Sequence, residues 1–336
     1  MNTNPRNAPF GSVLAGTMAV AHYRDGAWGP TEFRNTGPLE IHPASHALHY
    51  GSECFEGFKA YKHADGSVHV FRLDAHIARM QNSARLLVLP EPDPGQLRDA
   101  VLEVIARVRA DVPEAPGALY LRPLLFGTTP NIGAAATPST EAMLVVLASP
   151  VWDYFAGGMK PLKILVEEHA QRCAPHLGMV KTGGNYAAAM GPTLAARKKY
   201  GVDQVLFCPG GSVQETGASN FVLLRAGELL TRSLDSSFLH GVTRDSLLTL
   251  ARDLGYRTDE RVFDVSELLA WARDGEAALS GTAAVLSGVG TLVHEEREIP
   301  VGDGQIGPET LRLRNALVAI QQGTAADRHG WLTRVR

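Results

Sequence analysis

The chain has 336 residues, too many for one ordinary hydrophobic core, so two domains are expected. Apolar residues make up 45% and charged residues 20%, the proportions of a soluble globular protein. The 32 Lys and Arg against 35 Asp and Glu leave a formal charge of −3. That balance argues against nucleic acid or an anionic membrane as the main partner, while a few local arginines can still hold a small anion.

Residues 1–9 are polar and contain proline, without the apolar stretch of a signal peptide. Residues 13–72 read as strands and turns. Val68-His69-Val70-Phe71 follows the turn Asp65-Gly66 and alternates as a strand does. Asp74 looks like an N-cap, with Ile77, Met80, Ala84 and Leu87 at helical spacing behind it. Leu97, Val101, Val104, Ile105 and Val108 mark a second amphipathic helix, and residues 118–123 and 142–147 read as buried strands. A mixed α+β domain over 1–150 follows. Residues 151–158, with aromatic side chains before two glycines, read as a linker, and 159–336 as the second, larger domain. There, 162–166 and 205–207 are strands, and 186–200, 243–254 and 308–321 are helices. Pro209-Gly210-Gly211 makes a tight turn toward Val213-Gln214-Glu215. No apolar run approaches the length of a spanning helix.

Cys54, Cys173 and Cys208 form no CxxC, and three thiols cannot close a full disulfide set, which fits a reducing, cytoplasmic setting. Cys54 could serve as a nucleophile, though a small buried residue is the more ordinary role. The chain has 7 lysines against 25 arginines. Six of the lysines stand in polar or turn-like surroundings, where a solvated charge is expected. Lys181 instead follows Met179-Val180 and precedes Gly183-Gly184-Asn185-Tyr186, with Thr182 between. Glycine lets backbone approach something bulky, and a desolvated lysine can attack a carbonyl as the free amine. A helix-start lysine after a Gly-rich turn gives the same pattern.

Gly241-Val242-Thr243-Arg244-Asp245 opens a helix whose free N–H groups suit a phosphate, and Ser280-Gly281-Thr282-Ala283-Ala284 is a second small-residue turn. Two such turns and the lysine together suggest a phosphorylated aldehyde. Pyridoxal phosphate has that anatomy, with a ring nitrogen that needs a carboxylate, for which Glu215 is the candidate. A competing cluster is His42, His46 and His49, three imidazoles close enough to suggest Zn²⁺. No carboxylate lies among them, and Pro43 breaks a helix that would align the first two, so no metal is assigned.

Taken together these motifs resemble the branched-chain amino acid aminotransferases, pyridoxal-phosphate enzymes of fold type IV. The resemblance runs from Ala15 onward. It rests on His49-Tyr50-Gly51 through Cys54-Phe55-Glu56-Gly57, Tyr120-Leu121-Arg122-Pro123, Lys181 to Tyr186, Glu215-Thr216-Gly217 and Ser280-Gly281-Thr282-Ala283. It implies the D-amino acid aminotransferase-like fold, a smaller N-terminal α/β domain and a larger cofactor domain. It also implies transfer of the amino group between L-leucine, L-isoleucine or L-valine and 2-oxoglutarate, and a homodimer or larger homo-oligomer. By resemblance, Lys181 carries the cofactor and moves the proton, and Glu215 pairs with the ring nitrogen. Tyr186 lies at the phenolic oxygen and Leu239 packs on the ring. Arg79, Val242, Thr243 and Thr282 hold the phosphate. Thr282, Ala283 and Tyr120 receive the α-carboxylate, Tyr50 and Phe55 wall the side-chain pocket, and Arg122 meets glutamate's second carboxylate.

The sequence departs from the family pattern in places. Ala218 replaces a threonine found in some members, Ala284 and Ser287 stand where some relatives carry a CxxC pair, and Trp152 stands where glycine is expected. The nearest rivals are a D-amino acid aminotransferase or an aminodeoxychorismate lyase of the same fold; from another class, a metal hydrolase built on His42, His46 and His49.

Overall fold

The computed structural model describes residues 8–152 and 158–336. Five of the eight residues expected as a linker, 153–157, lie outside the described residues. In chain order the elements are β1 (Thr17–Arg24), β2 (Ala27–Trp28), β3 (Glu32–Asn35), α1 (His46–Tyr50), β4 (Glu53–Phe55), β5 (Phe58–Lys62), β6 (Val68–Phe71), α2 (Leu73–Leu86), α3 (Pro94–Arg107), β7 (Ala118–Gly127) and β8 (Ala142–Val151). There follow β9 (Leu162–Glu167), α4 (Gly183–Tyr200), β10 (Gln204–Phe207), β11 (Asn220–Arg225), β12 (Glu228–Thr231), α5 (Val242–Asp253), β13 (Arg257–Glu260), α6 (Val265–Trp271), β14 (Glu276–Gly281), β15 (Val285–His294), β16 (Arg297–Pro300), α7 (Pro308–Gln321) and β17 (Leu332–Arg334).

Two compact units form. Described residues up to Trp152, with Val180–Gly183 and Ile320–Arg336, make the first; Gly158 to Met179 and Gly184–Ala319 make the second. The division departs from the expected boundaries at two places. The last 17 residues join the first unit, because β17 adds to its sheet by pairing antiparallel with β6. The short segment carrying Lys181 also belongs to the first unit.

The first unit's sheet runs β17-β6-β5-β7-β8-β1-β2, with β3 on β1 and β4 on β7. Its core joins Phe58, Leu119, Leu121 and Leu125 of the sheet to Leu73 and Met80 of α2 and Leu97, Val101, Val104 and Ile105 of α3. The apolar spacing of α3 is the reason it docks along one face, and Asp93 caps it by accepting from the Gln96 N–H at 2.7 Å. α2 begins differently from expectation. Arg72 is the residue before it, in the left-handed region at φ 55°, and Asp74 lies inside the first turn. The Arg72 N–H is held by the Trp331 carbonyl at 2.7 Å, a contact from far along the chain that local pattern does not encode.

The second unit's sheet runs β10-β9-β15-β14-β11-β12-β13, with β16 on β15. Its core includes Ile164, Leu206, Phe221, Leu223, Leu268, Leu279 and Leu292. Among the described residues no helix is long and apolar enough to cross a membrane.

Candidate active site

In the first unit the segment bearing Lys181 is fixed from two sides. The Phe55 N–H donates to the Lys181 carbonyl at 2.9 Å, which ties it to β4. The Lys181 N–H donates to Ser83 Oγ of α2 at 3.1 Å. The next two residues are braced by Glu53: Oε1 accepts from Thr182 Oγ1 at 3.0 Å and from the Gly183 N–H. A Cβ on Gly183 would stand 2.6 Å from that oxygen, so glycine is what lets the carboxylate reach the backbone. Burial pushes the Glu53 carboxyl up, opposed by the Gly183 and Thr182 donors and by Arg122. Lys181 Nζ lies 5.0 Å from the Phe55 ring centre.

Phe55 is shared. The Arg122 guanidinium stacks over it at 4.5 Å and donates to Tyr120 Oη at 2.8 Å. Arg122 Nε is buried with no hydrogen-bond partner among the described residues. Tyr120 and Arg122 are two residues apart on β7 and share one face of the strand, so this corner joins an apolar wall to a cation and a hydroxyl. Tyr50 sends its hydroxyl to the Ile132 carbonyl at 2.5 Å, beside His46.

Arg79 extends from α2 into a buried cluster that the sequence did not reveal. Glu56 takes its fork, Nε to Oε1 at 2.7 Å and Nη2 to Oε2 at 2.9 Å, and His76 Nδ1 lies 2.7 Å from the same carboxylate. An ionised carboxylate only accepts, so Nδ1 carries the imidazole proton. Burial alone would raise the Glu56 pKa, but Arg79 and His76 outweigh it and hold the group well below the usual carboxylate range. Burial lowers the His76 pKa from 6.5 despite Glu56.

Both depressed values link stability to pH in one direction. As pH falls below the unfolded histidine value of 6.5, the unfolded chain takes up a proton that folded His76 resists, so stability present above 6.5 is lost. A second loss follows as pH falls from the unfolded carboxyl value of 4.5 through the lower folded value of Glu56. His76→Gln should flatten the decline in Tm between about pH 6.5 and 5, removing up to about 1.4 kcal/mol per pH unit, and leave the more acid decline in place. A variant with the wild-type slope would show that His76 does not titrate with folding.

Lys59 corrects an expectation. Its surroundings in the sequence predict a solvated charge, yet it is only 8% exposed on β5, an interior strand of the sheet.

In the second unit, Glu215 is 2% exposed on the approach to β11 and is bridged to Asn220. Oε1 accepts from the Leu239 N–H at 2.9 Å and lies 2.8 Å from Arg172 Nε; Oε2 accepts from Asn220 Nδ2 at 3.0 Å. Asn220 also donates to the Leu239 carbonyl at 2.8 Å. Leu239 is thereby held next to the start of α5, where Val242 and Thr243 lie in the first turn and no side chain caps the N-terminus. A Cβ on Gly241 would meet Asn220 Oδ1 at 1.9 Å. Thr282 and Ala283 form the turn from β14 to β15, and Ser280 Oγ, just before it, is buried without a partner among the described residues. Val285 closes that turn at φ 65°, a strained setting for a β-branched residue that costs about 1–3 kcal/mol and is characteristic of functional turns. Tyr186 is half-buried in the first turn of α4, after Asn185, which is fixed by a 2.8 Å bond to the Leu177 carbonyl.

The three histidines of the competing cluster are turned to separate partners. His42 Nδ1 accepts from the Ala44 N–H at 3.1 Å, His46 Nδ1 meets Ser52 Oγ at 2.7 Å, and His49 Nε2 donates to the Pro43 carbonyl at 2.9 Å. Among the described residues no group of three histidine, cysteine or acidic side chains is arranged to hold a metal.

Sequence reasoning missed Arg172, Asn220, His76 and the bracing roles of Glu53 and Glu56. Each acts through a partner 5 to 130 residues away, and such pairs leave no periodic trace.

The chain is similar to known proteins over nearly its whole length. Residues 53–290 match the model of amino-transferase class IV. The branched-chain-amino-acid aminotransferase of Mycobacterium tuberculosis is 40% identical over 344 residues, covering 98% of this chain and 93% of that protein. A probable branched-chain-amino-acid aminotransferase of Streptomyces coelicolor is 39% identical over 97% of this chain and 92% of its own length. A T.th. branched-chain amino acid aminotransferase, in its crystal structure with pyridoxamine 5'-phosphate, superposes with a TM-score of 0.80 at 29% identity, covering 96% of this chain and 100% of that one. The Escherichia coli enzyme superposes with a TM-score of 0.77 at 28% identity, covering 96% of this chain and 100% of that chain. A lysine braced next to an aromatic–arginine corner, a buried carboxylate and an uncapped helix start thus occur in a chain that belongs to the class IV aminotransferases, in their branched-chain-amino-acid aminotransferase family.

Proposed function

We propose that the protein is a pyridoxal-phosphate-dependent branched-chain-amino-acid aminotransferase, exchanging the amino group between L-leucine, L-isoleucine or L-valine and 2-oxoglutarate. The observation that carries this is Lys181, held through its own backbone and through the Glu53 brace beside Phe55 and Arg122. The residues present fit the cofactor. An uncapped α5 start and a Ser280 hydroxyl without a partner among the described residues suit an anion, and Glu215, which accepts from Leu239 and Asn220, suits a cationic ring nitrogen.

When bound, pyridoxal phosphate supplies the electron sink that makes the substrate's Cα–H acidic. Lys181 binds the cofactor and moves the proton at Cα. Glu215 would pair with the ring nitrogen and keep it protonated, Tyr186 would meet the phenolic oxygen and Leu239 would pack on the ring. Arg79, the Val242 and Thr243 N–H groups and Thr282 would hold the phosphate, with Glu56 fixing how the Arg79 fork is turned. Thr282, Ala283 and the Tyr120 hydroxyl receive the α-carboxylate. Phe55 and Tyr50 exclude water from the branched side chain, and Arg122 receives glutamate's second carboxylate.

The working form in this proposal is a cytoplasmic homodimer or larger homo-oligomer. Met190 and Leu194 are 58% and 54% exposed one turn apart on α4, and in the other unit Leu48 and Ile132 are 62% and 70% exposed, apolar surface suited to a second copy. Cys54, Cys173 and Cys208 are free and buried, which suits a reducing compartment. Rates over a panel of L- and D-amino acids with 2-oxoglutarate test the function. L-leucine, L-isoleucine and L-valine should lead, and a preference for D-alanine would replace this proposal with a D-amino acid aminotransferase.

A further inference from the structure

Glu215 has been described by what it does; how a carboxylate stays charged there is a separate question. At 2% exposure an ion persists only with compensation. The Leu239 N–H and Asn220 Nδ2 donate to it, and the Arg172 guanidinium lies against it. A neutral carboxyl would have to donate a proton toward one of them, and none accepts at the contacting atom. Of these three, only the Arg172 guanidinium carries charge. It is itself 4% exposed and is anchored at its far end, with Nη2 donating to the Gly178 carbonyl at 2.8 Å. Its Nε lies 2.8 Å from Oε1 but off the hydrogen-bond line, so its effect on Glu215 is Coulombic and steric more than directional. The titratable neighbour of the pair is Cys173, whose thiol burial pushes up.

We propose that Arg172 is a positioning residue for the transamination: its guanidinium, locked to Gly178, holds the buried Glu215 carboxylate charged and in one orientation. This rests on the proposed pairing of Glu215 with the ring nitrogen. Asn220 extends the unit. Because it bonds both Glu215 and the Leu239 carbonyl, the carboxylate and the chain leading into α5 are held as one piece. Without Arg172 the buried carboxylate loses that Coulombic support, which favours its neutral form, and a neutral carboxyl keeps the ring nitrogen protonated less well.

The test uses holoenzyme loaded with pyridoxal phosphate carrying ¹⁵N in the ring, in the wild type, Arg172→Met, Arg172→Lys, Glu215→Gln and the double variant Arg172→Met/Glu215→Gln. Arg172→Met should lower kcat for L-leucine about 10- to 100-fold with KM within about threefold, since the loss falls on the transition state. Its ring ¹⁵N resonance should move from the pyridinium toward the neutral pyridine position. Arg172→Lys should recover part of both. The double variant should be no worse than Glu215→Gln, because residues acting as one unit are not additive. Wild-type kcat and a pyridinium resonance in Arg172→Met, with Glu215→Gln impaired, would make Arg172 a structural residue only. Wild-type behaviour of Glu215→Gln would instead overturn the ring-nitrogen pairing, and this proposal with it. If Arg172→Met does not fold, Arg172→Lys decides: an intermediate kcat with a shifted resonance supports the proposal, and wild-type values for both overturn it.

Discussion

Lys181→Ala should lose transamination of L-leucine by about four or more orders of magnitude while still binding pyridoxal phosphate, because in the proposed role one side chain supplies both the covalent attachment and the proton carrier. The geometry separates these losses from loss of the fold. The Lys181 segment is held by its backbone, through the Phe55 N–H and Ser83 Oγ, and by the Glu53 bonds to Thr182 and Gly183. None of these uses the lysine side chain, so the variant should fold with a Tm close to that of the wild type. Its cofactor should leave on gel filtration far more readily, and a small external amine should restore a fraction of the rate. Activity within about tenfold of wild type would mean that another group moves the proton. Lys59 is the alternative to examine first, as a lysine of the first unit that is buried, at 8% exposure.

Arg122→Ala carries the second large effect, and it is selective. One pocket must accept an apolar side chain and the second carboxylate of glutamate. A carboxylate against an aromatic wall is costly unless a donor meets it. Arg122 stands where both demands can be met. Its guanidinium carbon lies 4.5 Å from the Phe55 ring centre, beside the aromatic wall, and its Nε is buried without a partner among the described residues. The planar fork can take a carboxylate in bidentate fashion. Removing it should cost the half-reaction with glutamate about 2–5 kcal/mol more than the half-reaction with leucine. Single-turnover rates measured separately for the two substrates decide this. Equal losses would assign Arg122 to the shared α-carboxylate or to Tyr120, whose hydroxyl it already binds at 2.8 Å.

Much of this was legible in the chain. α3 could be drawn from Leu97, Val101, Val104 and Ile105 because helical spacing of apolar residues is a local signal, and all four are buried where that spacing puts them. The lysine, the glutamate and the two phosphate-type turns could be proposed because glycine and small residues mark places of close backbone approach; Gly183 and Gly241 are such places, where an added Cβ would collide with Glu53 and Asn220. What stayed hidden depends on contacts distant in sequence. Asp74 has the chemistry of a cap, but the Trp331 carbonyl holds Arg72 and shifts the helix start. The last strand joins the first sheet through β6, which no periodicity announces. Lys59 is buried on β5, which pairs with β6 and β7, although its surroundings read as polar or turn-like in the sequence. Arg172 lies in a polar stretch, Gln171-Arg172-Cys173, and only the fold brings it to Glu215.

The central claim is that Lys181 holds the cofactor and releases it when a branched-chain amino acid donates its amino group. Borohydride reduction of the native holoenzyme, followed by peptide mapping, tests both halves at once. The account predicts a pyridoxyl group on Lys181 alone, its loss when the enzyme is first incubated with excess L-leucine and no acceptor, and its return when 2-oxoglutarate is added. A label on Lys59 or any other lysine, or a Lys181 label undiminished by leucine, would contradict it.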